Sequence, residues 1–352
     1  MCFEGGSCAP SRQILPTNVK PSHYQVELVP NLADFTFRGI VTVHLSVADT
    51  TRTITANAND LVIHNAKANI VHLKSESHQI ASSIRLDKGA ETVVFEFPHD
   101  IPAGATCALT VEFAGNHNDK MAGFYRSGYT DSAGNKRYLV VTQCEATDCR
   151  RIFPCWDEPN LKATFDVELV VEQDLVALAN MNVTEEKIVT IGGKELKAVK
   201  FARTANMSPY LFALAVGDFD YLEAQAKPRK PAGANPITCR TYTLKGQSEL
   251  GRFALGVSTK VLEFFSEFFG VAYPLPKLDM IAIPDFGAGA MENWGLVTYR
   301  EVLLLFDESK TSAESKKRIA YVIGHELAHQ WFGNLVTMDW YFLFYTGGTN
   351  SG

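Results

Sequence analysis

His325-Glu326-Leu327-Ala328-His329 sets two imidazoles four residues apart, with a carboxylate beside the first. On a helix that spacing puts both rings on one face a single turn apart, about 6 Å between Cβ atoms, within reach of one ion. Zinc favours neutral nitrogen ligands of this kind in a tetrahedral site. Glu326 projects about 100° away around the axis, which suits a carboxylate that leaves the metal alone and takes a proton from the water the metal activates. A buried helix that happens to hold two His is the plainer alternative. The pattern arises by chance in very roughly one chain of this length in a hundred, so its setting must carry weight. It does: Ile319, Ile323 and Leu327 provide an apolar face that would bury the helix against a core.

Three other segments carry chemically useful residues. Gly287-Ala288-Gly289-Ala290-Met291-Glu292-Asn293 is rich in small residues and has a carboxylate near its end. Small residues let a substrate backbone approach closely, and a peptide could add to a strand edge there; by composition alone a plain turn accounts for it as well. Gln143-Cys144-Glu145 places an amide and a carboxylate on one side of an extended segment, a pattern that a solvated edge pair also satisfies. Phe153-Pro154-Cys155-Trp156-Asp157-Glu158-Pro159 is rigid and aromatic and reads as architecture.

The elements that must position these groups fall into two textures. From His23 the chain alternates as half-buried strands do: Tyr24, Val26 and Leu28 on one face, Gln25 and Glu27 on the other. Phe35, Phe37, Val41, Val43, Leu45 and Val47 continue the period, and Val93–Phe97, Leu109–Phe113, Phe165–Val171, Leu175–Ala179, Leu196–Phe201 and Tyr210–Val216 are further strand candidates. Turn residues separate them, and no helix intervenes, so an antiparallel sandwich or saddle over about the first 220 residues is expected. The Pro- and Lys-rich stretch Lys227–Gly233 marks the domain boundary. Beyond it, Phe253, Val257, Val261, Leu262, Phe265 and Phe268 recur at helical spacing in Glu249–Phe269 and read as core. Leu278–Ile283 is a buried strand candidate. A second helix opens at the capping-box sequence Thr311-Ser312-Ala313-Glu314 and runs to about Phe332. Strands mixed with helices make this an α+β or α/β catalytic unit.

Lys plus Arg is 33 and Asp plus Glu 39, a net charge of −6. Without a basic footprint, nucleic acid is not expected as a partner. Hydrophobic residues at 46% and charged residues at 20% are ordinary globular values and argue against disorder. No apolar run approaches the roughly 20 residues of a membrane helix, and Met1–Pro16 lacks the basic and apolar order of a secretory signal. Seven widely spread Cys with no C-x-x-C pair read as reduced thiols, which predicts a cytoplasmic protein. The patterns at Asn182-Val183-Thr184 and Asn206-Met207-Ser208 are then chance glycosylation matches.

Taken together, Leu15-Pro16 through Pro30, Gly123-Phe124-Tyr125-Arg126-Ser127, Thr142 to Pro159, Gly289-Ala290-Met291-Glu292-Asn293 and His325 to Trp340 resemble the zinc aminopeptidases of the gluzincin clan, puromycin-sensitive type. The resemblance runs in order over nearly the whole chain. It implies a multidomain protein: an amino-terminal antiparallel β-sandwich or saddle over residues 15–225 after a flexible 1–14, then an incomplete thermolysin-like α+β catalytic domain over 226–340. It implies one zinc ion on His325 and His329, with Glu326 as general base. Glu292 would hold the free α-ammonium of a peptide, Gln143 and Glu145 would complete that amine pocket, and Gly289, Ala290, Met291 and Asn293 would complete the substrate-binding segment. Two carboxylates beside a closed end accept a charged amine and exclude a continuing chain, so the implied substrates are peptides with a free amino terminus. A bifunctional epoxide-opening relative is a weaker match.

The sequence departs from the pattern at its end. Counting from His329 puts the family's third zinc ligand, a Glu, at position 348, which is Gly348, and residues 341–352 read YFLFYTGGTNSG. Two protein ligands where a catalytic zinc has three predict weak zinc binding and poor turnover by this chain alone. The alternative reading is a non-catalytic peptide-binding or scaffold product of the same family. The codons of Trp340-Tyr341 must contain GTA, as an intron donor does, so the tail is expected to be a gene-model or splicing artefact. A chain ending there would expose Trp331, Phe332, Phe342 and Phe344. Oligomeric state and preferred first residue are not legible in the sequence.

Overall fold

The computed structural model describes residues 14–229, 231, 232 and 234–337. Alternation does what the spacing predicts: Tyr24, Val26 and Leu28 are buried along Val19–Asn31 while Gln25 and Glu27 face solvent. That strand belongs to an eight-stranded sheet ordered Val183–Ile191, Lys194–Phe201, Thr164–Val171, Val19–Asn31, Thr36–Val47, Thr106–Asn116, Val62–His72, Ser75–Ile80. The sheet is not purely antiparallel. Val19–Asn31 runs parallel to Thr164–Val171, in register Tyr24 to Phe165, which the long intervening chain permits and a hairpin could not. A three-stranded sheet (Thr51–Asn57, Thr92–Ile101, Ser83–Asp87) and a four-stranded sheet (Val176–Ala179, Leu214–Gly217, Lys136–Gln143, Gly123–Thr130) complete the strand-rich part.

The second part is a five-stranded sheet ordered Phe219–Ala226, Ile237–Leu244, Lys277–Ile283, Leu296–Arg300, Ala290–Met291, with two α-helices, Arg252–Phe269 and Ala313–Ala328. Its three central strands are parallel and both edges antiparallel. Lys277–Ile283 is buried at every position, as a strand covered on both faces must be. Lys227–Gly233 lies between two strands of this one sheet, so the chain crosses from the four-stranded sheet into it at Asp218, earlier than the Pro- and Lys-rich stretch. Buried apolar residues from all four sheets and both helices form one continuous core from Leu15 to Trp331, which welds the two parts together. No helix among the described residues is long and apolar enough to cross a membrane.

Several local expectations are corrected. Phe35 is in a turn at φ 58, outside the strand that begins at Thr36. Tyr210 lies in a 3₁₀ turn, Pro209–Leu211, because Pro209 lacks the N–H a ladder needs; the strand starts at Leu214. The first long helix begins at Arg252 after a 3₁₀ turn and ends on Gly270, whose φ of 65 suits a residue without Cβ. Phe268 is outside the core, 69% exposed and stacked on Phe264 along the outer face. Ser312, not Thr311, caps the second helix by accepting the Ser315 N–H at 3.1 Å; Thr311 instead closes the preceding turn on Asp307. That helix stops at Ala328, with His329 as its cap, because the carbonyls of the last turn are taken by Trp331, Phe332 and Asn334. Trp331 is buried and donates to the Val271 carbonyl, whereas Phe332 is exposed. Residues 1–13, Trp340, Gly348 and the remainder of 341–352, including Phe342 and Phe344, lie outside the described residues.

Candidate active site

The two imidazoles converge. His329 keeps helical backbone angles at the helix cap, so the one-turn spacing survives, and the two Nε2 atoms lie 3.1 Å apart. His329 Nδ1 is 2.9 Å from the Phe332 carbonyl. A carbonyl only accepts, so the proton sits on Nδ1 and the Nε2 lone pair faces His325. Burial and the neighbouring His329 lower the pKa of His325, against a raising effect of Glu292, which favours the neutral form a metal requires. Two imidazole nitrogens this close together fit zinc as two of its donors. Among the described residues no third His, Cys, Asp or Glu joins them in a metal-sized group. Glu326 is buried on the adjacent face, and its Oε2 has no hydrogen-bond partner.

Glu145, Glu292 and Glu326 come from three separate segments and lie near enough for their charges to act on one another. Glu145 follows the end of Lys136–Gln143, in the four-stranded sheet. Glu292 follows Ala290–Met291, the edge strand of the five-stranded sheet, and Glu326 is on the second helix. Burial first, and the Glu292 charge second, push the Glu145 carboxyl up to about 7. Burial, then Glu292, then Glu145 raise Glu326 well above the usual carboxylate range. Carboxylates that feel one another's charge set up a region of negative potential, which one cation can relieve. Gln143 is half-buried with its Oε1 unpartnered, a free acceptor.

Ala290–Met291 pairs only with Leu296–Arg300, in register Ala290 to Tyr299, and its other edge carries no strand among the described residues. Gly289 is exposed, and a Cβ there would approach Leu303 Cδ1 to 3.2 Å. Met291 and Asn293 are inside: Met291 is core, and the Asn293 amide donates to Thr298 Oγ1 at 3.1 Å. Their contribution toward a peptide is therefore confined to the backbone.

Several positioning residues were not singled out in the sequence. Gln330 Nε2 donates to the carbonyls of Glu292 and Glu326, both at 3.1 Å, and Asn334 Nδ2 donates to the Glu292 carbonyl at 2.8 Å. These two amides fix Glu292 to the His-bearing segment. The spacing Glu326, Gln330, Asn334 was the available signal, since three polar residues four apart in a buried run must be partnered. Arg300 binds the Phe286 and Gly287 carbonyls and holds the loop before the edge strand. Tyr210 donates to Gly333 at 3.1 Å, Asn180 to Leu211 and Trp294, and buried Lys277 to Ala179 and Gly295 at 2.8 Å each beside Asp279. Asp285 accepts from the Gly128 N–H across the same junction. No local pattern announces these contacts.

Residues 20–211 match the family described as "Peptidase M1 N-terminal domain", and residues 253–347 match "Peptidase family M1 domain". Over 327 residues the chain is 47% identical to "Aminopeptidase M1" of Arabidopsis thaliana, covering 93% of this chain and 36% of that protein. It is 44% identical over 335 residues to "Puromycin-sensitive aminopeptidase" of Caenorhabditis elegans, 95% and 34%. With "Alanine/arginine aminopeptidase" of Saccharomyces cerevisiae it shares 43% over 336 residues, 94% and 37%. The chain thus spans about a third of the length of these relatives. With both family regions matched in order around the converging His and Glu side chains, the chain belongs to peptidase family M1.

Proposed function

We propose that this chain carries the amine pocket and part of the metal centre of a zinc aminopeptidase that removes amino-terminal residues from peptides. The observation that carries the reading is the convergence of the His325 and His329 Nε2 atoms at 3.1 Å beside buried Glu326, with Glu292 tied to the same segment through the Gln330 and Asn334 amides; the Glu292 charge in turn acts on Glu145. Two carboxylates there match one α-ammonium and disfavour a continuing chain, so binding selects the first residue of a peptide. Gln143 adds its free acceptor to the ammonium, and the open edge of Ala290–Met291 offers backbone groups to the peptide next to Gly289. Zinc, on which this family depends, would be held by His325 and His329 and would supply polarisation of the scissile carbonyl and acidification of water. Glu326 takes the proton from the attacking water and returns it to the leaving amine. Burial raises its pKa above the ordinary carboxylate range, the direction a proton acceptor that must also return the proton needs. The Phe332 carbonyl keeps His329 in its ligating tautomer.

We read the architecture as an amino-terminal saddle followed by part of a thermolysin-like domain, divided near Asp218. Cys107, Cys144, Cys149, Cys155 and Cys239 are buried free thiols, which supports placement in the cytoplasm. A second reading, a peptide-binding product without turnover, is favoured by the presence of two metal donors rather than three among the described residues. The test is hydrolysis of an aminoacyl-arylamide by the zinc-loaded chain, beside its N-acetylated counterpart and a Glu326→Gln chain, with binding of a free-amine peptide followed in parallel. Turnover of the free amine alone, lost in Glu326→Gln, supports the enzyme. Binding without turnover supports the second reading, and binding that ignores N-acetylation sinks both.

A further inference from the structure

A few residues beyond Gln143 and Glu145 in the chain lies a group of metal-ligating side chains that the proposed hydrolysis does not use. Cys149, Cys155 and Asp157 are buried, and one ligand atom from each lies within 4.8 Å of the others. Cys144, the residue between Gln143 and Glu145, is near enough to act on the Cys149 thiol, and its own Sγ donates to the Phe212 carbonyl at 3.1 Å. We propose that Cys149, Cys155 and Asp157, with Cys144 as the adjoining thiol, form a second metal site that takes a thiophilic divalent ion of the zinc and cadmium class.

The frame around the group is already built. Cys155 exchanges backbone hydrogen bonds with Asn57, at 2.8 and 3.1 Å. Asn57 Oδ1 accepts the Asp157 N–H at 3.1 Å, and Tyr24 Oη accepts the Trp156 N–H at 3.1 Å. Cys149 opens a 3₁₀ turn closed by the Ile152 N–H. Arg150 reaches Asp157 Oδ2 through Nε at 3.0 Å and through its backbone N–H at 3.3 Å, so the carboxylate keeps a compensating charge.

Charge balance decides which ion such a site accepts. Burial raises the Cys149 and Cys155 thiols far above the ordinary range, so bare thiolates are costly here. A divalent ion that displaces one proton from each thiol leaves the net charge of the pocket unchanged and avoids the penalty of burying a new charge. Sulfur donors prefer soft ions over calcium or magnesium, which take oxygen shells. Release of two protons per ion makes apparent affinity fall about 100-fold for each pH unit of acidification.

The experiment is cadmium titration of the 352-residue chain in a Cys2→Ser/Cys8→Ser background, which removes the two thiols outside the described residues. Cadmium is added both to the folded protein and during refolding, because the site is closed to solvent. The readout is the ultraviolet thiolate-to-cadmium charge-transfer band, which an ion on His325 and His329 does not produce. A band saturating at one ion, lost in Cys149→Ala and in Cys155→Ala yet retained in Cys107→Ala and Cys239→Ala, is expected. Melting curves of the variants establish that they fold; should one not fold, its cysteine is tested by the loss of the band in Cys→Ser at the same position. No band under either loading condition, or a band that survives both Cys149→Ala and Cys155→Ala, overturns the site.

Discussion

Replacing Glu292 by Gln changes the charge of the proposed amine pocket while keeping the volume of the side chain, and it tests that proposal directly. Glu145 titrates at about 7 instead of 4.5, with burial the larger cause and the Glu292 charge the smaller. That gap of about 2.5 pH units is worth about 3 kcal/mol. Because Glu292 is the smaller of the two causes, Glu292→Gln is expected to lower the Glu145 midpoint by at most about one pH unit, on the order of 1 kcal/mol. Glu145 then still titrates well above 4.5. The linkage has a definite sign. A carboxyl whose folded pKa is raised binds more protons when folded, so it costs stability as pH climbs from about 4.5 to about 7. Glu292→Gln reduces that loss. Carboxyl-carbon NMR of the zinc-free chain, assigned by Glu145→Gln, reads the midpoint, and urea unfolding at about pH 5 and about pH 8 reads the linkage. A parent midpoint near 4.5 would mean that the pocket is wet. An unchanged midpoint in Glu292→Gln would mean that the two carboxylates do not face each other, and either result removes the basis for amine recognition.

Three further predictions concern the surroundings of that pocket. Glu326→Gln stabilises the zinc-free chain at neutral and alkaline pH and leaves it unchanged in acid, since a buried carboxyl with a raised pKa costs stability only where it ionises; equal stability of the two chains at about pH 8 would contradict this. Gly295 sits at φ +87, and a Cβ there would lie 2.3 Å from the Asn180 carbonyl, so Gly295→Ala should cost about 3 kcal/mol or more by denaturant titration, and a change under about 1 kcal/mol would show the junction to be soft. Asn180→Ala removes hydrogen bonds to Leu211, Trp294 and Ala213 at a buried position; a loss of about 2–4 kcal/mol is expected, and amide exchange should show new opening at Ala213.

Much of the strand-rich part was legible because period-two burial needs only local information. Tyr24, Val26 and Leu28 went inward as the alternation required. The errors share a cause. Phe268 has the same helical spacing as the core residues but faces outward, because a stripe on a helix says nothing of how wide a face the sheet covers. The helix end at Ala328 and the cap at Ser312 were set by competing hydrogen bonds from Asn334 and Asp307, which propensity cannot weigh. The parallel pairing of Val19–Asn31 with Thr164–Val171 joins segments too far apart in the chain for any local signal.

Chemical identity was determined by the sequence alone: two His one turn apart with a Glu between them, small residues before Glu292, and an amide and a carboxylate flanking Cys144. Those are properties of side-chain type and spacing, which survive in any fold that makes the helix and the extended segments. What only the tertiary structure decided was their meeting. Glu145, Glu292 and Glu326 stand on different elements of two sheets and a helix, and the desolvation that raises the pKa of Glu145 and of Glu326, and the amides of Gln330 and Asn334 on the Glu292 carbonyl, exist only once the sheets have packed. A pKa set by burial and a hydrogen bond between distant segments are functions of the surroundings. No single stretch of the chain contains its own surroundings.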